Sequence, residues 1–379
     1  MINIKKLIPL ELLLVLLWSC SLNTTENNTI KLEPTENEKI KLGNVKMLIP
    51  LEASKESNLN YIEKTVLDLK NDRIFVQSDF NIFIFDSNGK FINKLKQGRG
   101  PGEVSMVPSF SINSESKLFY ALDNSNFICI FNYDGKMIRK FEIHGFSSID
   151  IKCIDDENVL LLCNYVGGTE TNFVGIYNFE EKKVIQKFIS VQESPYPKFI
   201  RVMGNSFPFS GNRQFFSYSN IFALFEFKNN NFQKVFNIDL GERTVPNNFL
   251  KQFINKKGGK RIFREEAIRN SYVPFLSFSF YFNKYFLIIT DDLKNSCYAI
   301  NEKNWQKVYL NGQISSYFNL PEVQSLSFPS GISNDYLIFS CNPLDFFEND
   351  AKVKSKMIEI GGHEINVNYD SNPFLIIVK

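Results

Sequence analysis

The chain has 379 residues but only 2 His, 6 Ala and 6 Cys. Two histidines cannot build the multi-histidine centres of most zinc enzymes. So few alanines, the best helix former, argue against a helical protein. No two cysteines stand at CxxC spacing, which removes the zinc-ribbon and thioredoxin-like motifs. Excess charge of one sign is missing too, since 43 Lys+Arg face 41 Asp+Glu, and nothing in that balance draws nucleic acid or an acidic substrate. Beyond residue 20 no apolar run reaches the roughly 18–20 residues that cross a bilayer. What is abundant is 38 Phe, 15 Tyr and 43 Asn, the composition of aromatic-faced strands joined by polar turns.

Residues 1–20, MINIKKLIPLELLLVLLWSC, place Lys5 and Lys6 before a short apolar stretch and then Ser19-Cys20. This is a secretory signal rather than a spanning helix. The ending Leu17-Trp18-Ser19-Cys20 resembles a bacterial lipobox, which implies cleavage before Cys20 and lipidation of Cys20, with residues 1–19 as the signal peptide. Residues 20–42 are rich in Asn, Thr, Glu and Lys without apolar periodicity and are expected to be a flexible tether. The remaining cysteines, 129, 153, 163, 297 and 341, are odd in number. A hairpin over Asp155-Asp156-Glu157 sets Cys153 opposite residue 159 or 160, so a disulfide to Cys163 is not the expectation.

The segment IFIFDSNGKFINKL at 82–95 aligns without gaps on ICIFNYDGKMIRKF at 128–141, with seven identities in fourteen and an offset of 46. Both are alternating strands around Asn-Gly or Asp-Gly, a strong hairpin signal. The unit recurs at 173–188, and Asn231–Phe236 is echoed by Asn304–Tyr309. Two further strand-like runs precede each hairpin, giving a four-stranded unit with a period of 40–50 residues, the signature of a β-propeller blade. Second strands near Lys117–Asp123, Asn158–Tyr165, Arg213–Ser219, Lys284–Thr290 and Asp335–Cys341 bring the count to six blades. The sixth lacks a fourth strand, and an open edge there would invite aggregation. Val45–Glu52 is the spare strand expected to close the ring. The predicted fold is therefore all-β, a six-bladed β-propeller over 43–379, with a helical insertion near 246–270 where Phe249, Leu250, Phe253 and Ile254 recur at helical spacing. Basic residues gather in that insertion, from Lys251 to Arg264.

These features bear a family resemblance. Lys46-Met47-Leu48-Ile49-Pro50-Leu51-Glu52, Arg73-Ile74-Phe75-Val76, Ile84–Phe91, the loop Gly98-Arg99-Gly100-Pro101-Gly102-Glu103 and the ending Asn372–Lys379 resemble the six-bladed β-propeller lipoproteins of Gram-negative gut anaerobes, relatives of the NHL-type propellers. The resemblance implies the fold and a monomeric outer-membrane lipoprotein, periplasmic or surface-exposed, whose only membrane attachment is the lipid. It implies little about activity.

Up-and-down connectivity puts the links between blades and the 2–3 links of each blade on one face, and the 1–2 and 3–4 turns on the other. All long excursions fall on the first face, and scaffold-mounted long loops tend to carry function. The candidate binding residues at the channel mouth are Arg99, Glu103, Asp123, Asn124, Tyr165, Glu170, Asp291 and Asp292, with Tyr165, Phe207 and Tyr272 as aromatics able to stack on sugar rings. Gly98–Glu103 is not a phosphate loop, because Pro101 removes an amide donor and a strand follows.

Among reaction classes, His144 and His363 alone cannot supply a zinc lyase. No Gly-x-Ser-x-Gly elbow marks a serine hydrolase. The preferred reading is a binding module without enzymatic activity or cofactor, taking a glycan, peptide or protein partner and no nucleic acid. The alternative is a Ca2+-dependent hydrolase, lactonase- or phosphoesterase-like, with the mouth-side acids as oxygen ligands.

Overall fold

A computed structural model of the chain describes residues 28–33, 40–124, 126–163, 171–194, 209–210, 213–219, 221–253, 259–310, 314–321, 323–326, 328–333, 335–347 and 354–379. Six antiparallel four-stranded units form a ring, a six-bladed propeller. From the innermost strand outward, blade 1 is Lys64–Asp68, Arg73–Ser78, Asn81–Phe85 and Phe91–Lys94; blade 2 is Phe110–Asn113, Leu118–Asp123, Phe127–Asn132 and Met137–Glu142; blade 3 is Ser148–Cys153, Asn158–Cys163, Asn172–Asn178 and Lys183–Ser190. Blade 4 is Phe209–Ser210, Arg213–Phe216, Ala223–Lys228 and Asn231–Asp239, and blade 5 is Leu276–Phe282, Tyr285–Thr290, Cys297–Asn301 and Lys307–Leu310.

Blade 6 is built from both ends of the described chain. Gly331–Ser333, Tyr336–Cys341 and Phe374–Val378 supply three strands, and Val45–Pro50 pairs antiparallel with the last, from Val45 opposite Val378 to Pro50 opposite Phe374. The spare strand thus closes the ring and leaves no open edge on Phe374–Val378. At the seam between blades 6 and 1, Thr65 N–H donates to Ser330 O at 2.8 Å and Leu67 N–H to Ser333 Oγ at 2.7 Å. The backbones approach so closely that a Cβ on Gly331 would lie 1.9 Å from Thr65 O, which only glycine avoids.

Each blade grades from buried to exposed because its two middle strands are covered on both sides by neighbouring blades. In blade 1, Asn81–Phe85 is buried throughout, whereas Phe91–Lys94 on the rim is half-buried at Phe91 and exposed beyond it. Aromatics fill the wedges between blades. Phe75 of blade 1 meets Phe119 and Tyr133 of blade 2 at 5.2 and 4.9 Å between ring centroids. Each such ring contributes about 2–3 kcal/mol by leaving water. Cys129, Cys153, Cys163, Cys297 and Cys341 are all buried, and Cys153 lies opposite Val159 rather than Cys163.

One part of the chain departs from expectation. Asn28–Lys31, inside the stretch expected to be a flexible tether, is a strand that adds in parallel to the rim of blade 4, with Asn28 opposite Phe236 and Lys31 opposite Asp239. Burial explains this. Ile30 and Leu32 are 8% and 0% exposed within the apolar cluster of blades 4 and 5, and Arg243 Nη2 and Lys307 Nζ donate to the carbonyls of Leu32 and Lys31, both at 2.6 Å.

Two insertions rise from the links of the long-loop face. Between blades 4 and 5, helices α1 (Asn247–Lys251) and α2 (Gly259–Arg269) share a small core of Val245, Leu250, Phe253, Phe263, Ala267 and Phe275. Within blade 6, the hairpin Ser355–Ile360 and His363–Asn368 buries Ile358, Ile360, Ile365 and Val367 against that blade.

Candidate functional site: the long-loop face

The candidate acids among the described residues are placed by turns, and each is consumed there. Glu103 folds back on its own loop and accepts from Gly100 N–H at 2.8 Å. A Cβ on Gly98 would lie 2.0 Å from Glu103 Oε2, so the glycine exists to admit this carboxylate. Arg99 is exposed in the same loop. Asp123, 4% exposed, ends the second strand of blade 2 and accepts from Ser105 N–H and Oγ and from Lys140 Nζ, at 2.8, 2.7 and 2.7 Å. Burial alone would raise its carboxyl, but the Lys140 and Ser105 hydrogen bonds win and hold it below the usual range. Asn124 is exposed with φ of 51° and donates its N–H to Met106 O.

On blade 5, Asp291 is 1% exposed and takes a bidentate pair from Arg264 Nε and Nη2 at 2.7 and 2.6 Å. That contact fastens α2 to the blade. Asp292 caps its turn by accepting from Lys294 and Ser296 N–H, both at 3.0 Å, and meets Arg243 at 3.3 Å. Tyr165, Glu170, Phe207 and Cys20 lie outside the described residues. Tyr272 is half-buried and packs edge-on to Phe249 at 5.3 Å, inside the insertion's own core. Of the expected basic cluster, Arg264 is tied to Asp291 and Arg261 remains exposed.

The candidate residues that lie among the described residues therefore do not converge on one mouth-centred point. Glu103, Asp123 and Asn124 serve blades 1 and 2, while Asp291 and Asp292 sit on blade 5, three blades from blade 2 across the ring. Among the described residues no group of three or more His, Cys, Asp or Glu side chains gathers as a metal cage would require. Their protein donors also occupy the oxygens a cation would need.

Other residues define this face better, and the sequence reading overlooked them. Ten large apolar side chains are exposed in the described chain. Tyr61, Phe80, Leu293, Phe328 and Leu344 all stand on links of the long-loop face; Met357 and Tyr369 belong to the blade 6 insertion, and Ile92, Ile138 and Ile185 to outer strands. None lies on a described 1–2 or 3–4 turn. The mouth itself holds a polar network: Lys64 Nζ donates to Ser109 Oγ at 3.1 Å and Phe110 O at 2.8 Å and meets Asp150 at 3.5 Å, and Ser109 Oγ donates to Asp150. Farther in, Lys152 lines a cavity of about 40 Å³ with Thr65, Ser111 and Ile332. Burial first, and the Lys64 charge second, push its ammonium down to about 8.

This architecture is a six-bladed propeller of up-and-down meanders whose long links share one face. Residues 28–379 match the family described as "Domain of unknown function (DUF4934)", and the chain belongs to that family. Among solved structures it is similar to a putative exported protein of Bacteroides fragilis NCTC 9343, at 13% identity and a TM-score of 0.67, covering 93% of this chain and 98% of that one. Weaker likenesses are the WD40 repeats of RRP9, at 11% identity and a TM-score of 0.47 over 90% and 100% of the two chains, and PorZ of Porphyromonas gingivalis, a surface component of the type-IX secretion system, at 10% identity and 0.37 over 70% and 29%. No curated protein matches the chain.

Proposed function

We propose that this protein is an interaction module of the cell envelope, an NHL-like propeller lipoprotein that docks a glycan, peptide or protein partner on its long-loop face. The segregation of exposed apolar side chains onto that face carries this reading. Tyr61, Phe80, Leu293, Phe328 and Leu344 have no counterpart on the described turns opposite, and exposed apolar surface rimmed by polar groups marks contact sites. The satisfied state of Glu103, Asp123, Asp291 and Asp292 favours binding over calcium-assisted hydrolysis. Lipidation of Cys20 would hold the protein at the outer membrane, and the exported character named for the B. fragilis protein supports that address.

The test is a binding comparison on isolated envelopes with labelled mature chain. A Phe80→Asp, Leu293→Asp double variant should lose most retention, and an Asp134→Ala, Asp156→Ala double variant on the opposite face should keep it. Equal loss from both variants would remove the loop face from its role. For the anchor, Cys20→Ser should move the chain from the membrane to the soluble fraction; unchanged fractionation would exclude lipid attachment.

A further inference from the structure

The innermost strands of four blades meet around one cavity, and the charges beside it do not cancel. The cavity, of about 40 Å³, lies between Lys64 of blade 1, Phe110, Ser111 and Ile112 of blade 2, Lys152 of blade 3 and Ile332 of blade 6. Its described lining comes from innermost strands alone, so it belongs to the central channel. Among the described residues, two lysines line it and no acidic residue does.

A single carboxylate, Asp150, stands between the two cations. The Lys64 side chain is 8% exposed, and its Nζ donates to Ser109 Oγ at 3.1 Å and to Phe110 O at 2.8 Å. These bonds use two of an ammonium's three donors. Asp150 Oδ1 offsets the Lys64 charge from 3.5 Å, beyond hydrogen-bond length, and this oxygen already accepts from Ser109 Oγ and from Ile151 N–H. Asp150 therefore balances Lys64 and leaves the positive excess at Lys152. Burial first, and then the Lys64 charge, push the half-buried Lys152 ammonium down, against smaller opposing effects of Cys153 and Asp150. Two cations and one acid leave one positive charge in excess in a poorly solvated wall, and one small anion would neutralise it.

The size and lining of the cavity narrow the anion. About 40 Å³ holds about three waters, the room of a carboxylate bearing a methyl or ethyl group. Phe110, Ile112 and Ile332 offer that body an apolar wall, which the all-oxygen surface of phosphate or sulfate would not use. We propose that the central channel holds a short aliphatic monocarboxylate, its oxygens accepting from Lys152 and from the remaining donor of Lys64, and its alkyl end against Phe110, Ile112 and Ile332. This site goes beyond the loop-face reading and does not depend on it.

Titration of carboxyl-labelled sodium acetate with the mature chain at pH 7 in chloride-free buffer, followed by carbon-13 line broadening, tests the site. Acetate should bind. Lys152→Met, which keeps the stem and removes the charge, should weaken binding about tenfold or more, the worth of one charge-assisted hydrogen bond, with the fold intact by circular dichroism. Ile332→Phe, which fills the cavity without touching a charge, should weaken it as well. Lys94→Met on the outer strand of blade 1, and the Phe80→Asp, Leu293→Asp double variant, should bind acetate like the parent. No broadening, or equal binding in Lys152→Met and the parent, overturns the site. Displacement of acetate by an equal concentration of chloride would overturn the carboxylate class. Acetate binding lost only in the Phe80→Asp, Leu293→Asp variant would remove the ligand from the channel.

Discussion

The two faces of the disc use polar residues for opposite ends. On the turn face, side chains button one blade to the next: Tyr133 OH donates to Asp68 at 2.6 Å, Asn71 Nδ2 to Ser114 O at 2.8 Å, Arg73 to Asp134 at 3.1 Å and Asn113 to Asp156 at 2.9 Å. Arg213 does the same between blades 4 and 5, bridging Glu226 and Glu302 beneath Phe215 and Tyr281. On the loop face, Asp123, Asp291 and Asp292 hold links to their own blades, and Tyr61, Phe80, Leu293, Phe328 and Leu344 are left exposed. The difference teaches that a turn acid in a propeller is first a fastener. The face that spends its acids on fastening long links, yet leaves five large apolar side chains in water, is the one arranged to meet something else.

The largest effect should come from the seam on which both faces depend. A chain beginning at Leu51 lacks the strand that covers Phe374–Val378, so blade 6 keeps an open edge and the ring has no closure. Its thermal transition by calorimetry should lose cooperativity, and an unchanged transition would sink the closure. A chain beginning at Leu32 loses only the rim strand on blade 4, and should still melt cooperatively at a modestly lower temperature.

Next is the fastening of the helical insertion. Asp291→Ala removes both acceptors from Arg264 and should cost about 2 kcal/mol in urea unfolding, less than for a fully buried pair because Arg264 is more than a third exposed and screened by water. Amide exchange should accelerate in α2 and not on the turn face. Uniform acceleration would mean that the pair supports the whole ring rather than the insertion.

Asp123 gives the same comparison a pH signature. Its carboxyl is held below the usual range in the folded protein, so its contribution is fully present above the unfolded value near 4 and is lost as pH falls through the lower folded value. Asp123→Asn should cost about 1–2 kcal/mol at pH 7 and flatten the acid limb of the stability profile below about pH 4. Parallel profiles for parent and variant would show that the carboxylate charge is not what holds Ser105 and Lys140.

Much of this was readable in the sequence, for identifiable reasons. Asn88-Gly89 and Asp134-Gly135 announce tight turns that few other pairs permit, so the hairpins and their offset of 46 could be found. Val45–Pro50 was recognisable because its apolar run had no partner while blade 6 lacked a strand. Asn28–Lys31 was not, since NTIK carries one apolar residue and its strand state depends on the rim of blade 4, which is remote in sequence. The fastening role of the acids was not readable for a related reason. An acidic residue after a second strand reads the same whether it faces solvent or caps a link, and only the fold shows Ser105 against Asp123 or Arg264 against Asp291. Phe80 was invisible because one Phe among 38 offers no contrast.

That last residue yields the smallest stability effect and the sharpest test of the comparison. Replacing a half-exposed Phe forfeits roughly 1 kcal/mol of burial, while placing Asn at φ of 56° recovers about the same from backbone strain. Phe80→Asn should therefore shift the unfolding free energy by no more than about 0.5 kcal/mol. The reciprocal change on the turn face, Asn230→Phe, puts a bulky side chain at the same φ of 56° on an exposed turn. With little to pack against, it should lose about 1 kcal/mol. A loss near 2 kcal/mol in Phe80→Asn would show that the ring is held for packing, and the asymmetry between the faces would then reflect stability rather than contact. Near-neutrality in Phe80→Asn with a loss in Asn230→Phe means that folding gains nothing from the aromatic at residue 80, which leaves binding as the reason for it.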